Sequence, residues 1–147
     1  SGLLLHSVGK HGASQNAWKQ SLEYKIKEGD LGYFDSIAGA RAYVANVIKP
    51  DLKKPTVDPR SIKPHGEWNT IEIYTNKDTM VYAVNGTPTI VLHDTREKTA
   101  FGLTPLTKGQ IQLQSEGSEI FFRDIKIRDL PEYPPAIKTE IASSAHE

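Results

Sequence analysis

A two-residue alternation of apolar and polar side chains is the feature that most constrains the fold of this chain. It is clearest over residues 21–27, where every second residue is apolar. Successive side chains of a β-strand point to opposite faces, whereas the faces of an α-helix repeat every 3.6 residues. We therefore expect a strand that buries Tyr24 and Ile26 in a core and places Glu23 and Lys25 on the opposite, polar face.

Other segments share the β-branched and aromatic composition of strands. Asn85-Gly86, between two of them, is a strong hairpin signal because both residues tolerate positive φ. Short strands separated by turns predict an all-β fold, an antiparallel β-sandwich of the jelly-roll type. The predicted strands are residues 42–48, 68–75, 79–84, 87–92, 110–114 and 119–128, the last with a bulge at Arg123-Asp124, and residues 37–40 carry a short helical signal.

Prolines mark two irregular parts of the chain. Four of them fall within residues 49–66 and predict a long surface loop, since proline cannot donate a hydrogen bond to a strand ladder. Three more, at positions 131, 134 and 135, predict the end of a domain that spans residues 1–130. We expect residues 131–147 to be a flexible extension or an arm packed against a sheet edge.

Composition excludes several classes of protein. The 147 residues include 18 basic and 18 acidic side chains, and a net charge of zero argues against a general nucleic-acid or anionic-membrane binder. The absence of cysteine excludes disulfides, thiolate zinc sites and cysteine nucleophiles. No apolar stretch approaches the ~20 residues that span a bilayer. The chain begins inside a predicted strand, without Met or a signal peptide, so we expect a fragment or a processed product.

The polar face of the 21–27 strand carries the first candidates for chemistry. A carboxylate beside an ammonium stays ionised, and an ammonium stabilises a developing oxyanion. Glu23 and Lys25 meet this description if their face lines a cleft; otherwise they form a solvated ion pair of under ~1 kcal/mol. His6 follows an apolar run, and it is either a general base or a hydrogen-bonded structural histidine. No spacing among the five histidines indicates a metal site.

Aromatic and amide residues are candidates for sugar binding. Trp18 lies in a polar loop and is the better platform for a pyranose ring, whereas Trp68 is expected to pack at the start of a core strand. The glutamines at 110, 112 and 114 share one strand face, which suits an outer surface or a polyol-binding surface equally well. We expect Arg123 to make a structural ion pair.

Four segments, in this order, carry a family resemblance. Residues 1–13 resemble S-G-L-L-x-H…H-G-A, and residues 18–32 resemble W…S-x-E-x-Q-I-Q-E-G-D-x-G. The G-E-W-N of residues 66–69 precedes the Asn85-Gly86 hairpin, and residues 109–125 resemble G-x-I-x-L-Q-S-E-G…F-R-N-I. Over residues 1–130 the chain resembles the 3-keto-disaccharide hydrolase domain family.

The resemblance implies a concanavalin-like jelly roll with a sugar site on its concave sheet. It also implies cleavage of glucosides oxidised at C3, by removal of the C2 proton, elimination of the C1 group and addition of water. His6 or Glu23 would then be the base, Lys25 or a metal ion would stabilise the enolate, and Glu116 or a water would protonate the leaving group. Gln114 and Trp18 would hold the sugar.

Further expectations follow from the same resemblance. The resemblance implies that a divalent metal ion is a possible cofactor. It also implies that the protein is periplasmic or secreted. The opening strands of the family precede Ser1 and are absent here, so another segment or another chain would supply them. Lys25 stands where the family more often has Gln. Two alternatives from other classes are a non-catalytic carbohydrate-binding jelly-roll module and a structural or interaction domain of a larger secreted protein.

Overall fold

The computed structural model describes residues 1–44 and 61–144, together with the backbone of residues 47–48. Four antiparallel strands form the first sheet, in the order β10-β1-β2-β3. Their bounds are β1 Gly2–Val8, β2 Gln20–Lys25, β3 Phe34–Ile37 and β10 Gln110–Gln114.

The second sheet is also antiparallel, in the order β5-β4-β8-β7-β6, with β9 paired to β8. One helix, α1, follows near the end of the described chain. The bounds are β4 Arg41–Val44, β5 Val47–Ile48, β6 Ile71–Asn76, β7 Thr79–Val84, β8 Thr87–Thr99, β9 Gly102–Pro105 and α1 Pro135–Ser144.

The main core lies between the two sheets. Leu22, Tyr24 and Phe34 of the first sheet pack with Met80 and Tyr82 of the second, and all five are buried. The rings of Tyr24 and Tyr82 approach to 4.9 Å between centroids. The predicted all-β sandwich is therefore confirmed, and the predicted burial of Tyr24 with it.

Most of the predicted strands are present. Asn85 and Gly86 form the predicted hairpin turn, with φ of 47° and 80°. The segment 42–48 is not one strand but the antiparallel pair β4 and β5, with residues 45 and 46 outside the described part. In the predicted loop at 49–66, residues 49–60 also lie outside the described part.

The predicted strand over residues 119–128 is wrong. These residues form an irregular segment that pairs with neither sheet, and Ile127 is 83% exposed. The backbone at Asp124 has a φ of 53°, which interrupts an extended pleat where the sequence predicts a bulge. Alternating apolar residues are not sufficient for a strand when no neighbouring strand supplies hydrogen bonds.

Trp68 and Arg123 also differ from expectation. Strand β6 begins at Ile71, so Trp68 lies in the preceding loop and is 43% exposed. The Arg123 guanidinium lies 4.0 Å from the centre of the Trp68 ring. Its nearest carboxylate, Asp124, is 3.7 Å away, so a cation–π contact accompanies the predicted ion pair.

The C-terminal part is a packed helix. Pro135 begins α1, a position where a missing N–H costs nothing. Ile137 is buried against Val81 and Val91, on the face of the second sheet opposite the main core. The segment is thus an arm packed on a sheet face. The helical signal at residues 37–40 is wrong, because Ile37 ends β3 and a turn follows at residues 38–39. Within residues 1–44 and 61–144, no helix is long and apolar enough to cross a membrane.

Candidate active site

The outer face of the first sheet carries a cluster of charged side chains. Leu22 and Tyr24 of β2 point into the core, so Glu23 and Lys25 point to the opposite face. In the register, Lys25 lies opposite Gly2 of β1, and Glu23 lies opposite Asp35 of β3. The predicted register of β2 is therefore confirmed.

Glu23 is buried although it is a carboxylate. Its side chain lies over Gly2, where an added Cβ would stand 2.5 Å from Glu23 Oε1. The residue is only 2% exposed, and Oε1 has no hydrogen-bond partner among the described residues. Because glycine occupies position 2, the carboxylate can lie directly above strand β1.

Lys25 lies between two carboxylates. Its Nζ donates a hydrogen bond to Asp35 Oδ2 at 2.6 Å and lies 3.8 Å from Glu23 Oε2. Sequence reasoning missed Asp35. The available signal was its place next to Phe34, an apolar residue whose burial turns the neighbouring side chain outward.

Gln114, at the end of β10, and Glu116, two residues after it, complete the cluster. Gln114 pairs with Gly2 in the register and is 3% exposed. Its Nε2 donates to Glu116 Oε2 at 3.4 Å, while its Oε1 has no partner in the described part of the chain. The backbone N–H of Glu116 donates to Ser1 Oγ at 3.0 Å. Beside Gly2, two buried acceptor oxygens, on Glu23 and Gln114, thus have no donor among the residues that the structure describes.

The environment shifts the protonation of the cluster. Burial raises the pKa of Glu23 to about 7; Lys25 and the Ser1 amino group oppose this, while Asp35 and Glu116 add to it. Burial lowers the pKa of Lys25, but the hydrogen bond to Asp35 and the nearby carboxylates outweigh it and leave the pKa raised. Near neutral pH, both the protonated and the ionised form of Glu23 are therefore populated beside the Lys25 ammonium.

His6 does not join this cluster. It sits at a register shift of β1 with a φ of 47°, and its ring points between the sheets, where Nε2 lies 3.5 Å from Thr75 Oγ1. Nδ1 has no partner among the described residues, and burial lowers the histidine pKa, opposed by a backbone contact with Leu106. His6 and Glu23 thus lie on opposite faces of the first sheet.

A broad cavity of about 2920 Å³ lies between the sheets and extends to the edge of the cluster. His6 borders it, as do Lys25 and Glu116 at its rim, but Glu23 and Gln114 do not. Only some of the predicted site residues therefore border the same cavity.

Trp18 lies next to the polar face. It closes a short turn with Ser14, and the following residue, Lys19, donates its N–H to Gln112 Oε1 at 3.3 Å. Gln112 shares the face of Gln114 on β10. The backbone next to Trp18 therefore lies near the cluster. Trp18 itself is not on one of the paired strands that bring Glu23, Lys25 and Gln114 together.

A divalent metal ion, the cofactor option that the resemblance implies, finds no ready group of ligands among the described residues. Within residues 1–44 and 61–144, no group of three or more His, Asp or Glu side chains could hold one. The ammonium of Lys25 already bonds to Asp35 and lies close to Glu23, so it occupies the place between the carboxylates where a cation would bind.

Comparison with known proteins gives one match. The family described as the 3-keto-alpha-glucoside-1,2-lyase-like domain matches residues 1–128, a range that includes every member of the cluster. No curated protein and no solved structure matches the chain significantly.

Proposed function

Because the chain belongs to the 3-keto-alpha-glucoside-1,2-lyase-like family, as its motifs predict, we propose that it cleaves 3-keto-glucosides or 3-keto-disaccharides through the cluster on the first sheet. The name of the family refers to elimination across C1 and C2 of a glucoside that carries a ketone at C3, in which the C2–H and C1–O bonds break.

The ketone makes the C2 proton acidic. A base removes this proton, and the C2–H electron pair forms an enolate with C3. The enolate re-forms the ketone, the C1–O bond breaks, and the leaving group takes up a proton. Water then adds across C1 and C2 of the enone and gives free 3-keto-glucose. This route needs one base, one group that stabilises the enolate oxygen and one proton donor, rather than two carboxylates at a fixed separation.

One observation carries the proposal: Glu23 is buried with an Oε1 that has no partner among the described residues, and burial raises its pKa to about 7. A general base works best when its pKa is close to the working pH. We therefore assign removal of the C2 proton to Glu23. Lys25 lies beside Glu23, whereas the His6 ring lies on the opposite face of the sheet. This arrangement favours Glu23 as the base over His6, which remains the alternative from the sequence.

The neighbours of Glu23 supply the other roles. The Lys25 ammonium, 3.8 Å from the carboxylate, is close enough to stabilise an enolate oxygen formed beside the base. Glu116, exposed at the rim, or a water is assigned to the leaving group. The unpartnered Oε1 of buried Gln114 is an acceptor for a sugar hydroxyl. Trp18 is retained as a sugar platform, on the resemblance alone.

The experiment follows aglycone release from a 3-keto-glucoside. Glu23→Gln keeps the size of the side chain but removes its basicity, so turnover should fall by ~10²–10⁴ while sugar affinity changes only a few-fold. Glu28→Gln, at an exposed turn position after β2, is the matched control and should keep wild-type turnover. Substrate with deuterium at C2 should react more slowly.

Three results would contradict the proposal. Cleavage of an ordinary glucoside at a comparable rate would show that the ketone is not needed. Full activity of Glu23→Gln together with loss of activity in His6→Ala would move the base to the other face of the sheet. Sugar binding without any cleavage would favour the carbohydrate-binding module.

A further inference from the structure

Asp35 contacts the ammonium that the proposed reaction uses. It lies on β3, directly opposite Glu23 in the strand register. Its Oδ2 accepts a hydrogen bond from Lys25 Nζ at 2.6 Å, whereas Glu23 Oε2 lies 3.8 Å from the same nitrogen. The second distance is beyond a hydrogen bond. The lysine is therefore bound by one of the two carboxylates within its reach, and that carboxylate is the more exposed one.

The ionised form of Glu23 is an alternative partner for the Lys25 ammonium, which lies 3.8 Å from it. A buried carboxylate attracts an ammonium more strongly than an exposed one does, because solvent screens the buried pair less. Without Asp35, the flexible side chain of Lys25 could move toward Glu23 and donate directly to it. A carboxylate that accepts such a bond is stabilised in its charged form and is a weaker base.

We propose that Asp35 is a positioning residue, which holds the Lys25 ammonium next to Glu23 but out of direct hydrogen bonding with it. Glu23 then stays free to accept a proton, and Lys25 keeps donors available for the enolate oxygen. The catalytic consequence rests on the proposed function; the positioning itself is a property of the free protein.

The groups that face Glu23 give the sign of the expected effect. Lys25 and the Ser1 amino group are cationic, while Asp35 and Glu116 are anionic. Removing the charge of Asp35 takes away one of these two anions and releases the ammonium toward Glu23. Both changes favour the ionised form of Glu23, so its pKa should decrease.

Asp35→Asn tests this directly. The pKa of Glu23, followed by NMR of ¹³C-labelled carboxyl groups in the free protein, should be lower than in the wild type. With a 3-keto-glucoside, kcat should fall by about 3- to 10-fold with KM nearly unchanged, and the acidic limb of the kcat profile should move to lower pH. Asp35→Glu, which can still reach Lys25, should restore the pKa of Glu23 toward the wild-type value.

Asp30→Asn is the matched control. Asp30 also pairs with a lysine, Lys27, at 3.0 Å, but the pair lies in the turn after β2 and is not among the charges that act on Glu23. This variant should change neither the pKa of Glu23 nor kcat.

An unchanged pKa of Glu23 in Asp35→Asn would overturn the inference, even if the variant were less stable or less active. Failure of the proposed function has a different signature. Full activity in Glu23→Gln, with a lowered pKa of Glu23 in Asp35→Asn, would remove the catalytic role and leave the positioning of Lys25 by Asp35 in place.

Discussion

Glu23 combines two properties that are costly in a folded protein. It is a titratable group with almost no exposure, and one of its oxygens lacks a partner among the described residues. Burial of an ionised carboxylate without full hydrogen bonding is destabilising. The burial of Glu23 therefore lowers stability, a trade commonly found at functional positions.

A pH dependence of stability follows from this residue. Burial raises the pKa of Glu23 from 4.5 to about 7, so the folded state holds a proton that the unfolded state has released within this range. The free energy of unfolding should therefore decrease as pH rises from about 4.5 to 7. Glu23→Gln should lack this loss, and its melting temperature relative to the wild type should increase between pH 5 and pH 8. A constant difference over that range would mean that Glu23 is not buried as a carboxylate.

Among the elements, α1 contributes packing to the face of the second sheet that is turned away from the core. Ile137 is its one fully buried residue, and it contacts Val81 and Val91. Tyr133, just before the helix, donates its hydroxyl to the carbonyl of Thr79 at 3.3 Å. The apolar contact of Ile137 and the hydrogen bond of Tyr133 thus both hold the helix against the second sheet.

Ile137→Ala should lower the free energy of unfolding by about 2–4 kcal/mol, because it removes buried methyl groups and leaves a cavity. Chemical denaturation measures the change. Glu140→Ala, at an exposed position of the same helix, should be nearly neutral. The helix packs on the second sheet, so activity at the cluster should remain, and an equal loss of stability in both variants would contradict the packing role.

At the scale of the whole molecule, two tyrosines in the core link the sheets. Tyr24 donates its hydroxyl to the carbonyl of Ala83 at 3.0 Å. Ala83 lies opposite Pro88, which has no N–H to donate. Tyr82, whose ring packs against Tyr24, has a buried hydroxyl without a partner in the described part of the chain.

Removal of each hydroxyl should therefore change the stability of the protein differently. Tyr24→Phe should destabilise the protein by about 1–2 kcal/mol, because it leaves the buried carbonyl of Ala83 without that donor. Tyr82→Phe should be neutral or slightly stabilising, because it removes an unsatisfied polar group. Thermal unfolding of the two variants side by side measures the contrast, and equal changes would show that the hydrogen bond between the sheets has no net effect.

Local sequence determined much of the fold. Alternation specified both the strand β2 and which of its faces carries Glu23 and Lys25, because the strand period is two and only one face can be buried. Asn85-Gly86 specified a hairpin because its turn needs two residues with positive φ. These features depend on neighbours in the chain, so they can be predicted without knowing the partners in space.

Partners distant in the chain decided the rest. Residues 119–128 alternate like a strand, yet no ladder forms, because pairing requires an available edge in the right place. The backbone irregularity at His6 turned its ring between the sheets, and the pairing of β2 with β3 brought Asp35 to Lys25. The sequence by itself thus determined strand β2, its polar face and the Asn85-Gly86 hairpin, whereas the tertiary structure decided which charges meet on that face, because register and sheet order set the contacts between strands.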